Sequence, residues 1–224
     1  MNVLITGGAS GLGLATAEAV EKEGWRPLVV DVREPNQRFD HVTADLADRA
    51  QAERAVRELA ERAGGLDAVV TAAGIDACGR LEDVPADDWE RVIQVNLLGT
   101  AAVVRAALPY LKRVRGRVVT CASTLGLRPL SDASAYSASK FGVVGFTRAL
   151  AVELRGEVGV TLLVPGGMRT AFFDGRAEQY KPGPEAGLND PAHVAATVVF
   201  ALGQPTGCEI RELVICPDTE TSWP

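Results

Sequence analysis

From its second residue almost to its end, the chain alternates between short, unbroken apolar runs and longer segments of helical period. That alternation admits few folds. The apolar runs are residues 2–6 (NVLIT), 26–31 (RPLVVD), 41–44, 67–71, 116–122, 158–164 and 212–216. Residues 12–23, 49–62, 89–112, 135–154 and 191–202 read as helices. A strand buried on both faces reads as a continuous Val/Ile/Leu run rather than an alternating one. Strands alternating with helices imply right-handed crossovers and a parallel sheet. The expected fold is therefore α/β, a doubly wound parallel sheet of about seven strands with helices on both faces. No repeat, low-complexity tract or linker divides the chain, and 224 residues, 47% of them hydrophobic, suit one well-filled core. Residues 1–224 are thus expected to form a single domain. The polar, Gly- and Pro-containing residues 176–189 are the best candidate for a mobile loop.

Charge and composition narrow the partners. A net charge of −6 argues against a nucleic-acid footprint and supplies no polybasic membrane patch. It leaves room for a bound phosphate, which backbone amides hold without basic side chains. The sequence enters a strand at once, without a charged leader and apolar stretch, and no uninterrupted apolar run approaches a membrane span. The four cysteines (Cys78, Cys121, Cys208, Cys216) form no CxxC, and there are only two histidines, His41 and His193. A reduced, cytoplasmic protein with no metal site is the expectation. The expected partner is a small molecule, with no nucleic acid and no membrane.

The first strand runs into Thr6-Gly7-Gly8-Ala9-Ser10-Gly11-Leu12-Gly13 and then a helix. Gly7 permits a sharp turn, and Gly11 and Gly13 let a helix N-terminus approach a diphosphate. Its free amides and positive end favour phosphate charge. The spacing is G-x3-G-x-G rather than the general dinucleotide G-x-G-x-x-G, and a tight strand–helix turn alone would need the same glycines. Asp31 closes the second strand, 20 residues after Gly11. A carboxylate there can accept both hydroxyls of an adenine ribose and repel a 2′-phosphate, favouring NAD(H) over NADP(H). Arg33, two residues on, is the one side chain nearby that would welcome such a phosphate. Asp45 either hydrogen-bonds the adenine amino group or caps the next helix. Small residues at Ala72, Ala73 and Gly74 allow backbone to pass beside a cofactor, or simply pack closely.

A long helix opens with Ser134-Ala-Tyr136-Ser-Ala-Ser-Lys140. Residues four apart share a helical face, so Tyr136 and Lys140 can point at one ligand. A phenol with a reference pKa of about 10 is a poor base at neutral pH. A neighbouring ammonium, and the positive ring of an oxidised nicotinamide, favour the phenolate. So tuned, a tyrosine takes a proton from an alcohol as hydride leaves, and returns it in reverse. Ser123 follows the fifth strand and can hold a substrate oxygen, or serve as a turn serine. Asn96 stands mid-helix, where Asn is a poor helix former. Its amide could order a water linking Lys140 to solvent.

Taken together, TGGASGLG, Asp31, Asp45, TAAG (residues 71–74), Asn96 of VNLLG, Ser123, YSASK (residues 136–140) and PGGMRT (residues 165–170) resemble the compact, single-domain short-chain dehydrogenase/reductases, in order and spacing over nearly the whole chain. The resemblance implies a Rossmann-type fold and a catalytic tetrad of Asn96, Ser123, Tyr136 and Lys140. It implies that Lys140 binds the nicotinamide ribose and that Thr170 helps hold the carboxamide or diphosphate. The implied cofactor contacts are Gly7, Ser10, Gly11, Leu12, Gly13, Asp31, Asp45, Leu46, Ala72, Ala73, Gly74, Tyr136, Lys140, Pro165, Gly166 and Thr170. It also implies a homodimer or homotetramer packed through residues 96–112 and 135–154.

Three features depart from the family. Thr71 stands where Asn is frequent. Residues 176–189 make a reduced substrate lid. The tail from residue 212, with Trp223 near its end, lacks a glycine-rich close. Substrate walls are expected from Leu125, Leu130, Gly167, Met168, Phe172 and Phe173, with Arg128 or Arg169 to meet an anionic group. The expected activity is hydride transfer between NAD(H) and a secondary alcohol or ketone. The alternative is a non-catalytic NAD(H)-binding or sensing protein. A sugar-epimerase reading fails for want of the G-x2-G-x2-G turn and a large extra domain.

Overall fold

A computed structural model describes residues 1–34, 38–183 and 185–220. Among them are seven strands: β1 (Asn2–Thr6), β2 (Arg26–Asp31), β3 (Asp40–Thr43), β4 (Ala68–Thr71), β5 (Arg117–Cys121), β6 (Gly159–Pro165) and β7 (Glu212–Ile215). All pair in parallel in the order β3-β2-β1-β4-β5-β6-β7. The helices are α1 (Gly11–Lys22), α2 (Arg49–Ala63), α3 (Ala86–Ile93), α4 (Thr100–Val114), α5 (Ser134–Glu153) and α6 (Pro191–Leu202). The doubly wound sheet read from the sequence is the observed one. Element ends differ from the pattern by one to three residues, where hydrogen bonding rather than periodicity decides.

Alternate residues of one strand feed opposite cores. Leu4, Leu28, Val69 and Val118 pack with α2, α4 and α5 on one face. Val3, Ile5, Val29 and Val119 pack with α1 and α6 on the other. Helix ends follow local chemistry. Asp48 caps α2 by accepting the Ala50 and Gln51 amides at 2.8 and 3.1 Å, and Gly64 closes it at φ 76°. Asp190 caps α6 ahead of Pro191, accepting the Ala192 amide at 2.8 Å.

The expected helix over residues 89–112 is longer and broken in character. It runs from α3 to α4 through a π-helical stretch, Gln94–Gly99, which widens the turn at Asn96. Such insertions recur at functional sites. Gly99 permits this path: a Cβ there would meet the Leu46 carbonyl at 2.8 Å. The whole segment Ala86–Val114 is long and apolar enough to cross a membrane by length and composition, yet half of its most apolar stretch is buried in the protein. Arg105 and Pro109 lie within it, as suits a core helix.

The glycine turn is closely packed. A Cβ on Gly13 would lie against the Gly7 carbonyl, well inside van der Waals contact, whereas one on Gly145 in α5 would meet nothing within 4 Å. Gly13→Ala is therefore expected to destabilise by roughly 1–3 kcal/mol through overpacking. Gly145→Ala is expected to be neutral or to stabilise by up to about 1 kcal/mol through helix propensity. Urea unfolding of the two variants checks both signs.

Candidate active site

Strand order reverses between β1 and β4, and the carboxyl ends of the strands there open on a cleft of about 1270 Å³. Ligands bind at such switch points in open α/β sheets. Every residue expected to contact cofactor lines this cleft, as do Ser123, Tyr136 and Lys140. Asn96 does not.

At one end, Gly7 and Gly11 take left-handed φ of 76° and 55°. A Cβ on Gly7 would sit 2.8 Å from the Ala73 Cα, so the turns after β1 and β4 touch only because both residues are small. Ser10 precedes α1 but makes no side-chain cap. Its hydroxyl instead accepts from Arg33 Nη2 at 2.6 Å. The first-turn amides of α1 thus lack a side-chain partner and face a cleft, which is an anion site by dipole and donors together. That fits a dinucleotide diphosphate. Thr170, after β6, closes over the same turn: a Cβ on Gly11 would lie 3.5 Å from its side chain. The Thr170 hydroxyl itself accepts from the Phe172 amide at 3.3 Å.

Asp31 is 7% exposed. Its carboxylate is aimed by two backbone donors, Ala9 on Oδ2 and Arg33 on Oδ1, both at 2.9 Å. A carboxylate has about four acceptor positions, so it keeps capacity for ribose hydroxyls. Asp45 does not cap α2, a role that falls to Asp48. It accepts the Ala47 amide and the Arg91 guanidinium, each at 2.9 Å. Burial pushes its carboxyl upward, but those bonds outweigh it and hold the carboxyl below its usual range. Arg91 also lines the cleft, and no periodicity in the sequence pointed to it.

At the other end, Tyr136 and Lys140 lie on one face of α5, with the ammonium 5.5 Å from the phenol ring centre. Lys140 Nζ donates to the Cys121 carbonyl at 2.9 Å, leaving two N–H donors beyond that bond. Lys140 is 4% exposed, and burial lowers its pKa. Tyr136 differs from the expectation of a depressed phenol. Burial dominates and drives its pKa well above the usual value. The Asp76 carboxylate adds to the rise, while a hydrogen bond with Ser123 and the charge of Arg176 oppose it. Low-dielectric surroundings penalise the phenolate more than the neighbouring groups of this chain relieve it.

Asn96 is 1% exposed, and its side-chain amide is engaged by the protein itself. Its amide wraps the peptide of Ile75, accepting from Ile75 N and donating to Ile75 O, each at 2.9 Å. It also donates to Ser139 Oγ at 3.0 Å, and Ser139 donates to the Tyr136 carbonyl at 2.7 Å. Both Asn96 donors are spent, and the residue sits behind the cleft wall, where it positions Ile75 and α5. Only its Oδ1 comes near Lys140, across Gly74. Thr71, the departure noted above, leaves its hydroxyl buried without a hydrogen-bond partner.

Leu125, Leu130, Gly167, Met168, Phe172 and Phe173 line the cleft as expected. Arg128 and Arg169 do not; both are exposed elsewhere, and the cations of residues 176–189 that line the cleft are Arg176 and Lys181. Residues 176–189 are anchored at both ends rather than loose. Arg176 pairs with Asp76 at 2.8 Å, and Asn189 exchanges backbone bonds with Arg169 and Gly167 at 2.8 and 2.9 Å. The tail also turns back over the cleft, where Gly167 N donates to Glu220 at 3.4 Å. Trp223 lies outside the described residues. Among the described residues, no cluster of three or more His, Cys, Asp or Glu could hold a metal.

Comparison with known proteins agrees with this geometry. The family model for short chain dehydrogenases matches residues 1–181. The chain is 31% identical to an L-fucose dehydrogenase of Mus musculus, covering 99% of this chain and 89% of that protein. It is 33% identical to a D-beta-hydroxybutyrate dehydrogenase of Cupriavidus necator, covering 78% and 73%. An alcohol dehydrogenase of the archaeon Thermococcus sibiricus, solved with 5-hydroxy-NADP, superposes with a TM-score of 0.88 over 98% of this chain and 97% of that one, at 24% identity.

Asn96→Ala would leave the Ile75 peptide without its side-chain partner. The expected cost is about 1–3 kcal/mol of stability, read as a lowered urea midpoint. Asn96→Asp, which retains an acceptor for the Ile75 amide but not the two donors, should fall between.

Proposed function

The chain belongs to the short-chain dehydrogenase family, oxidoreductases that use a nicotinamide cofactor, and on that footing we propose that it interconverts a secondary alcohol and a ketone with NAD(H), using Tyr136 as the acid/base. The observation that carries this reading is the shared cleft: an uncapped helix end and an oriented Asp31 at one end, Tyr136, Lys140 and Ser123 at the other. The cofactor would lie with its diphosphate on the first turn of α1, its adenine ribose on Asp31 and its nicotinamide beside Thr170 and Pro165. When bound, it supplies the hydride acceptor or donor.

The chain's own groups do the rest. Ser123 and Tyr136 hold the substrate oxygen. The phenolic oxygen takes the proton from the alcohol, or gives it to the forming alkoxide. Lys140 stays fixed by the Cys121 carbonyl and directs its remaining donors toward the nicotinamide ribose. Because burial raises the phenol's pKa, the positive charge of oxidised nicotinamide is what brings it down into a working range. Oxidation should therefore rise with pH until the phenol in the NAD-bound protein is ionised.

An oriented carboxylate at Asp31, at the end of β2, supports NAD(H), since it would accept the ribose hydroxyls and repel a 2′-phosphate. Arg33, bonded to Ser10, is the feature that would admit NADP(H). The names of the two dehydrogenase relatives, each acting on a hydroxylated compound, support a carbinol substrate. We further propose a cytoplasmic homo-oligomer. All four cysteines are free, and Leu98, Phe141 and Val152 stand exposed along the π-helical stretch and α5.

Three outcomes test this reading. Tyr136→Phe should cut turnover by roughly 10²–10⁴-fold while NADH binding, followed by fluorescence, survives; undiminished turnover would refute the catalytic assignment. NADH should outcompete NADPH, and Asp31→Ala should narrow the gap; a wild-type preference for NADPH would overturn it. Phe141→Glu should lower the mass measured by light scattering.

A further inference from the structure

The substrate end of the cleft contains an ion pair that neither the glycine turn nor the Tyr136–Lys140 pair needs. Asp76 follows β4 by five residues, and Arg176 lies in the lid, a hundred residues away in sequence. Their side chains are 7% and 16% exposed and meet at 2.8 Å. Asp76 is held from behind by the Ala77 amide at 2.7 Å and the Cys78 thiol at 3.2 Å. Burial, with the Asp76 carboxylate second, pushes that thiol's pKa up to about 11, so it remains a neutral donor. Arg176 is also stacked: its guanidinium carbon lies 4.7 Å from the Phe172 ring centre and 4.6 Å from that of Phe173. Phe172 in turn packs on Tyr136, ring centres 5.5 Å apart.

We propose that Asp76 and Arg176 are a positioning pair for the reaction proposed above: the bridge seats residues 171–176 over Tyr136 through Phe172, and its two opposed charges act on the phenol across a poorly screened wall. Among the described residues, the groups that face the phenol come from several elements. Lys140 comes from α5 itself, Cys121 and Ser123 from the end of β5, Asp76 from the loop after β4 and Arg176 from the lid. Asp76 raises the phenol's pKa and Arg176 lowers it. A purely structural clasp would loosen the lid when either partner is removed but would not move the phenol in opposite directions.

The experiment uses the full chain with NAD⁺ bound. Phenolate formation at residue 136 is followed by ultraviolet difference titration against Tyr136→Phe, alongside the pH profile of kcat/KM. Asp76→Asn should move the ionisation to lower pH and Arg176→Met to higher pH, each by roughly half a unit to one unit. Arg176→Lys keeps the charge and loses the planar stack, so it should hold the wild-type ionisation while raising KM. Chymotrypsin cleavage at Phe172, Phe173 or Tyr180 reads the lid without turnover. It should quicken roughly ten-fold in Asp76→Asn and Arg176→Met, as expected when a partly buried pair is opened. Shifts in the same direction, or none, overturn the proposal even where cleavage quickens, since a structural clasp alone gives that result, and unchanged cleavage overturns it as well; the double variant Asp76→Asn/Arg176→Met decides the matter if either single variant fails to fold. If Tyr136→Phe leaves turnover intact, the catalytic reading falls instead, and the cleavage rates still decide whether the pair holds the lid.

Discussion

All seven strands run the same way, so every strand hands the chain to the next segment on one edge of the sheet. This is the constraint on which the remainder depends. Thr6, Asp31, Thr71, Cys121 and Pro165 end their strands within that edge, and the segments that follow must share a small space. They do so only because residues 7, 13, 72, 73 and 74 are Gly or Ala. At Gly7 and Gly13 the crowding is severe enough that a single added carbon would collide with neighbouring backbone. The anion site at the start of α1 follows from that closeness, since a bulky turn would hold a phosphate away from the helix amides.

Behind the cleft, one buried amide connects three elements. Asn96 reaches from the π-helical stretch to the peptide of Ile75 and, through Ser139, to the backbone of Tyr136. A regular α-helix would carry residue 96 along a different path; the widened turn and the glycine at position 99 let the segment bulge where the amide is needed. A buried primary amide fully paired in this way specifies a single arrangement, because a shifted one would strand several polar groups out of water.

The electrostatics of the phenol show why neighbours in sequence are an incomplete guide. A lysine one helical turn away suggests a depressed pKa, yet desolvation is the larger influence and acts the other way. Charges from distant segments then oppose or assist it. In water these would be negligible at such separations, but in a poorly hydrated wall they are not. Under the proposed function, a cationic ligand would lower the phenol and so couple proton transfer to its own binding.

Much of the architecture was legible beforehand because it rests on short-range rules: continuous apolar runs for buried parallel strands, glycines at a strand–helix turn, four-residue spacing on a helix. The positions of Ser123, Tyr136, Lys140 and the cofactor-facing residues followed from the same rules together with a family resemblance. The misreadings were of another kind. Of the two roles offered for Asp45, the helix cap falls to Asp48 and the residue pairs with Arg91; Arg128 and Arg169 were offered as pocket cations, whereas Arg176 and Lys181 line the cleft. Asp76 and Arg176 have no periodicity or motif to announce them. Local sequence determined which segments are strands, which turn leaves helix amides uncapped and which helix face carries the phenol, since each depends on residues a few positions apart. Which charges face that phenol, and whether a polar side chain meets the cleft or its back wall, was decided only when segments a hundred residues apart closed around one low-dielectric space.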